Sequence, residues 1–222
     1  MTKPVEAVTE EVTLTTVAEQ ETVPDLSPTS SPTPAQPRPV DLDVLNRVAS
    51  GSYHDPHSVL GAHPFGGAVT VRTLRPLAQS VTVVLDDGTR HPMEHELDGI
   101  WCAVLPVEHP KDYRLQVSYE GVGETEFDEP YRYMPTLGEL DLHLIREGRH
   151  EELWMALGAH IRSFDGPLGT VTGTSFAVWA PNARAVRVVA DFNHWTGREH
   201  AMRSLGSSGV WELFVPGIGE GA

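Results

Sequence analysis

From residue 68 the apolar positions of this chain alternate with polar ones. The stretches "AVTVRTL" (68–74), "SVTVVLDDGTRHPM" (80–93), "GIWCAVLP" (99–106) and "DYRLQVSY" (112–119) set Val, Ile, Leu, Trp or Tyr at about every second position. A period of two puts alternate side chains on opposite faces of a strand. Gly, Pro and Asp between the runs supply the turns, so residues 41–133 read as a small antiparallel sandwich. A short helix precedes it in "DLDVLNRVASG" (41–51). Asp41 is placed to cap this helix, Val44, Leu45 and Val48 form its apolar face, and Gly51 ends it.

Near residue 136 the period lengthens. "TLGELDLHLIREG" (136–148) sets Leu137, Leu140, Leu144 and Ile145 on one helical face, with Thr136 and Glu139 spaced as a capping box. "HEELWMALG" (150–158) reads as a second helix, with Leu153, Trp154 and Leu157 turned to the core. Residues 134–165 are therefore expected to be a helical linker. Strands resume at Thr174 in a last segment, 166–222.

That last segment repeats the first. With Pro76 set on Pro181, six of sixteen positions are identical: Pro76, Ala78, Val81, Val83, Val84 and Asp86. Further on, "GIWCAVLP" meets "GVWELFVP", which pairs Trp101 with Trp211 and Pro106 with Pro216. In the first copy the text runs on through the Tyr113 strand, whereas the second ends at its counterpart. So short a segment does not complete a sandwich. The expected fold is mainly β, with two tandem immunoglobulin-like sandwich modules joined by a short helical linker, the second truncated.

Composition narrows the possible partners. Residues 1–40 include "DLSPTSSPTPAQPRP", which lacks aromatic and periodic apolar residues and reads as a disordered tail. The formal net charge of −15, with 31 acidic and 16 basic side chains, leaves no basic stripe for nucleic acid. A single cysteine, Cys102, excludes an internal disulfide and suits a reducing compartment. Neither a membrane-length apolar run nor a signal-peptide pattern is present, so a cytoplasmic location is expected.

Three stretches are more specific: "HDPHSVLGAHP" (54–64), "EPYRYMPTLGELDLHLIREGRHEELWMALGAH" (129–160) and "FAVWAPNARAVRVVADFNHWTGREHAM" (176–202). Together they resemble the bacterial glycogen branching enzymes from about Asp41 to the end of the chain. The resemblance implies an N-terminal sandwich followed by a starch- and glycogen-binding sandwich of carbohydrate-binding module family 48. In that family a (β/α)8 barrel follows. It cuts an α-1,4-glucan and rejoins it through an α-1,6 bond, using a carboxylate nucleophile and a second carboxylic acid about 5 Å away. The barrel is absent from this chain, so no catalytic residue is carried over and the 222 residues are expected to be inactive alone. No cofactor is implied. The implied partners are α-1,4-glucan and the barrel of the same protein, not nucleic acid or membrane.

The candidate carbohydrate contacts are Trp195 and Asn193 of "DFNHWTG". An exposed Trp face stacks on a sugar ring, Asn193 shapes the turn, and Phe192 points inward. The first copy has "LDDGTRHPM" at this place, without an aromatic residue, so its role is expected to be structural. His54, His57 and His63 lack the cysteine or carboxylate partners of a metal site and read as loop packing. Asp86–Asp87 and Glu151–Glu152 read as solvated charge, and Cys102 as an inert strand residue. The leading reading is the N-terminal portion of a branching transferase. The alternatives are a free-standing glycogen-binding or regulatory module, and an immunoglobulin-like protein-interaction unit.

Overall fold

The structure is a computed structural model that describes residues 35–221; most of the expected disordered tail lies outside the described residues. The described residues before Asp41 are tied to the first module. The Arg38 amide donates to Thr70 Oγ1 (2.8 Å) and its guanidinium to the Ser58 carbonyl (2.9 Å). Helix α1 (Leu42–Ala49) follows, with Asp41 Oδ1 accepting from the Asp43 amide at 2.8 Å. Leu45, Val48 and Ala49 are buried along one side of it.

The first module contains β1 (Gly61–Phe65), β2 (Ala68–Leu74), β3 (Ala78–Leu85), β4 (Arg90–Pro92), β5 (Glu94–Leu97), β6 (Ile100–Leu105), β7 (Tyr113–Tyr119) and β8 (Gly123–Phe127). They form two four-stranded sheets, β1-β2-β6-β5 and β4-β3-β7-β8. Val69, Val71, Trp101 and Leu105 of one sheet pack with Val81, Val83, Leu115 and Val117 of the other. Each such side chain contributes about 1.5–3 kcal/mol by leaving water.

After it come α2 (Glu139–Arg146), α3 (Leu153–Ala156), β9 (Gly158–Gly166), β10 (Gly169–Trp179), β11 (Arg203–Ser204) and β12 (Val210–Pro216). The third sheet has the order β9-β10-β12-β11, the same as β1-β2-β6-β5. The registers coincide too: Leu74↔Ile100 recurs as Trp179↔Val210, and Gly61↔Arg72 as Gly158↔Ala177. Trp101 Nε1 donates to the Arg75 carbonyl at 3.2 Å, and Trp211 Nε1 to the Ala180 carbonyl at 3.0 Å. Gly99 and Gly209, both at positive φ, press against Pro76 and Pro181 where a Cβ would find 2.8 and 2.7 Å of room. The duplication is thus physical, down to single hydrogen bonds.

Several local expectations fail. Residues 158–166 are a strand, not the end of a helical linker, because Gly158 at φ +106° breaks α3 and β9 then pairs along β10. Thr136 does not cap α2; its hydroxyl is shared with Ser175 (2.7 Å) and its amide donates to Glu212 (3.1 Å). Leu140 and Trp154 are exposed, Trp154 by 72%, whereas Leu142 and Ile145 turn inward. Residues 186–190, the counterpart of β3, form only an isolated bridge, Arg187↔Ala201. β3 is paired on both sides, by β4 and β7, and among the described residues nothing corresponds to β7.

Among the described residues no second sheet covers the third. One face carries Trp211, Leu213 and Val215 into a core shared with α1, Leu74, Ile100 and Tyr131 of the first module. The other face is covered by Leu137, Ile145 and Ala156, with Tyr133 and Phe164 against Phe214. On that face Arg203 pairs with the fully buried Glu212 at 3.0 Å and donates to the Tyr133 carbonyl at 3.0 Å. Every strand pair described is antiparallel, and 222 residues cannot hold these sheets and a (β/α)8 barrel besides.

Tyr131 closes the shared core. Its hydroxyl donates to the Glu199 carbonyl and accepts from the Ala201 amide, both at 3.0 Å. Tyr131→Phe leaves both backbone groups short of a partner and is expected to lower unfolding free energy by about 2 kcal/mol in urea titration. An unchanged midpoint would remove Tyr131 from this role.

Candidate functional site

The two copies differ most between the counterparts of β3 and β4. In the first copy a four-residue turn suffices, closed by the Leu85 amide on the Thr89 carbonyl at 2.9 Å. The bond from the Met93 amide to the Val81 carbonyl (2.8 Å) recurs as Met202 to Val186 (2.9 Å). The second copy therefore has about four residues more between matching ends, and they form the loop that carries Trp195.

Asn193 holds this loop from within. Its side chain is buried; Oδ1 accepts from the Ala190 amide (2.9 Å), and Nδ2 donates to the Val188 carbonyl (2.8 Å) and meets His200 Nδ1 at 3.1 Å. Asn193 thus stands beneath the platform instead of on it, with its amide engaged by the protein. Phe192 packs inward, edge-on to His200 at 5.4 Å.

These bonds bend the next two residues. His194 and Trp195 lie at φ +53° and +59°, in the left-handed region that costs a side-chain-bearing residue roughly 1–2 kcal/mol each. The Trp195 amide donates back to the Ala190 carbonyl at 3.1 Å. The result is an indole 66% exposed, its orientation favoured by Nε1 donating to Asp191 Oδ1 at 2.8 Å. The loop presents one flat, oriented apolar face of the kind suited to stacking.

The other sequence candidates fall elsewhere. His63 Nε2 meets the Leu60 carbonyl at 3.0 Å, His54 sits edge-on to Tyr53, and His57 lies edge-on to Tyr131 with both ring nitrogens unpartnered. Among the described residues no three His, Cys, Asp or Glu side chains are grouped to hold a metal. Burial pushes the Cys102 thiol up to about 11. Asp87 pairs with Lys111 at 2.9 Å in solvent, and Glu151 and Glu152 are exposed. No helix of the described residues is long and apolar enough to cross a membrane.

Comparison with known proteins fits this geometry. Residues 41–131 match the family model "alpha-1,4-glucan branching enzyme GlgB, N-terminal domain", and residues 156–222 match "Carbohydrate-binding module 48 (Isoamylase N-terminal domain)". The chain belongs to the N-terminal region of the branching enzyme family. It is 56% identical over 180 residues to the 1,4-alpha-glucan branching enzyme GlgB of Thermobifida fusca, with 81% of this chain and 24% of that protein covered. To the protein of the same name from Rhodococcus jostii it is 54% identical over 190 residues, with 86% and 25% covered. The chain thus spans about a quarter of these relatives' length. Among solved structures, a Paenibacillus barengoltzii pullulanase complex with maltohexaose and alpha-cyclodextrin is similar at a TM-score of 0.30 and 17% identity, covering 55% of this chain and 21% of that one.

Burial holds the pKa of His57 down to about 2 and that of His200 to about 3. Both lie below the unfolded value of about 6.5, so between these limits the unfolded chain binds more protons. Stability is then complete above about pH 6.5 and falls as pH drops, by about 1.4 kcal/mol per pH unit for each His. Buried Glu129 and half-buried Glu199, whose pKa values are raised by burial, have the opposite sign, so variants are compared at equal pH. His57→Phe keeps the ring on Tyr131 and is expected to remove one proton's worth of the acid slope in urea unfolding between pH 7 and 5. A slope equal to wild type would show that His57 takes up a proton without unfolding.

Proposed function

We propose that this chain is the polysaccharide-positioning and scaffold portion of a glycogen branching enzyme. The whole enzyme would cleave an α-1,4-glucan and transfer the chain to form an α-1,6 branch in the cytoplasm. The chain alone supplies no catalytic pair. Its partners in this reading are α-1,4-glucan and the catalytic barrel of the same protein. The observation that carries the reading is the exposed indole of Trp195, locked by Asp191 on a loop that the first copy lacks.

Stacking is the contact a locked indole makes best. A glucose ring covering about 100 Å² of indole gains roughly 2.5 kcal/mol. Association costs about 4 kcal/mol or more, so a single platform binds at millimolar strength or weaker. A polymer offering many equivalent rings raises the effective affinity without new contacts. Asn193 and Asp191 act by fixing the platform. A free-standing glycogen-binding module would use the same loop; the matching N-terminal domain at residues 41–131 favours the enzyme reading.

Affinity electrophoresis through glycogen tests the platform. Trp195→Ala is expected to lose about tenfold in retardation relative to wild type, and Asp191→Ala, which frees the indole, a few-fold. Equal migration of Trp195→Ala and wild type would remove this residue from the site. The 222-residue chain is also expected to leave the iodine complex of amylose unchanged. A spectral shift with time would refute its lack of branching activity.

A further inference from the structure

Among the described residues the three sheets leave six edge strands: β1 and β5, β4 and β8, β11 and β9. An edge offers unpaired backbone groups to any other strand, and folds guard it with brevity, charge, proline or a bulge. Five of the six carry such a guard. β1 has Pro64, β4 is three residues ending at Pro92, and β11 is two residues long. β5 has Glu94 and Glu96 beside a shift of register, and β8 has Glu124 and Glu126. β9 has none of these. It runs for nine residues in unbroken register with β10 and holds neither proline nor lysine.

The pairing decides which of its groups are open. The Thr172 carbonyl accepts from the Gly217 amide at 2.9 Å, so the Thr172 backbone faces β12. Ser163, opposite Thr172 on β9, then turns both its backbone groups away from β10. By the same alternation Ala159, Ile161 and Asp165 turn outward, while His160, Arg162 and Phe164 bond to β10. The outward residues are also the exposed ones, Ile161 by 54%, and the three from Ala159 to Ser163 carry no charge.

This row reads alike in both directions about Ile161. Two copies laid antiparallel, with Ile161 on the two-fold axis, bring Ile161 onto Ile161 and Ala159 onto Ser163. They exchange about six N–H···O bonds across the seam. On the other face Arg162 comes opposite His160. The His160 Nε2 donates to the Leu157 carbonyl at 3.0 Å, which leaves Nδ1 to accept from Arg162. We propose that β9 is a self-association edge, at which two copies of this chain join their third sheets into one continuous sheet. The formal charge of −15 on each copy opposes the approach, so added salt strengthens the pair.

Sedimentation equilibrium of the 222-residue chain tests the pairing. A monomer–dimer equilibrium is expected below about 100 µM, moving toward dimer as salt is added. Ser163→Pro removes an outward amide and no bond to β10, and Ile161→Lys places a charge on the axis; each is expected to weaken the dimer about tenfold. Trp154→Lys, at an exposed apolar residue of α3, leaves it unchanged. Amide hydrogen exchange of the wild type gives a readout that needs no variant. Protection at Ile161 and Ser163 rises with protein concentration, whereas at His160, Arg162 and Phe164 it stays constant. A chain that remains monomeric over this range overturns the proposal. So does a dimer indifferent to both edge variants, or one lost in Trp154→Lys alone. Protection of Ile161 and Ser163 that is the same at every dilution also overturns it, because the edge is then covered within one copy.

Discussion

The hydroxyl of Tyr131 binds the Glu199 carbonyl and the Ala201 amide, and through them it fixes where the second copy's long loop ends. Tyr131 itself sits at the close of the first module, in a core to which α1, β2, β6 and β12 all contribute. Among the described residues no second sheet of its own covers this face of the third sheet. Its Trp211, Leu213 and Val215 are kept dry by the neighbouring module. The two halves therefore share one core, and the end of the loop that carries Trp195 is tied to it.

Against so close a duplication, difference carries the information. Strand order, register, the Trp-to-carbonyl bond and the Gly-on-Pro contact are the same in both copies. The loop between the counterparts of β3 and β4 is not. It is longer, it buries an asparagine and it forces two non-glycine residues into the left-handed region. Strain held in place by hydrogen bonds is a feature of sites, not of scaffolds. The proposed function rests on that one loop.

Much of this was legible in residues. The alternation of Val and Trp gave both copies, and the Pro76–Pro181 match located the loop that carries Trp195. The sequence also carries "LGAH" at 60–63 and again at 157–160. In both places the His Nε2 turns back onto the Leu carbonyl at 3.0 Å, and the Gly opens an edge strand. That tetrapeptide identifies β9 as a strand where helix periodicity in the preceding residues suggested a linker. Trp154 faces solvent for a related reason. α3 is a single turn, too short for periodicity to define a buried face. Arg75, Glu129 and Glu199 were invisible as a group, because they come together only when the two modules share a core.

The lock on Trp195 also has a kinetic side. A ring held by Asp191 and by a bent backbone loses little motional freedom when another surface covers it, so contact requires no slow rearrangement of the loop. Weak affinity then arises from quick release, not from slow capture. Such a platform would exchange neighbouring units of a long repeating chain rapidly, letting the protein drift along its length without ever being tethered to one point.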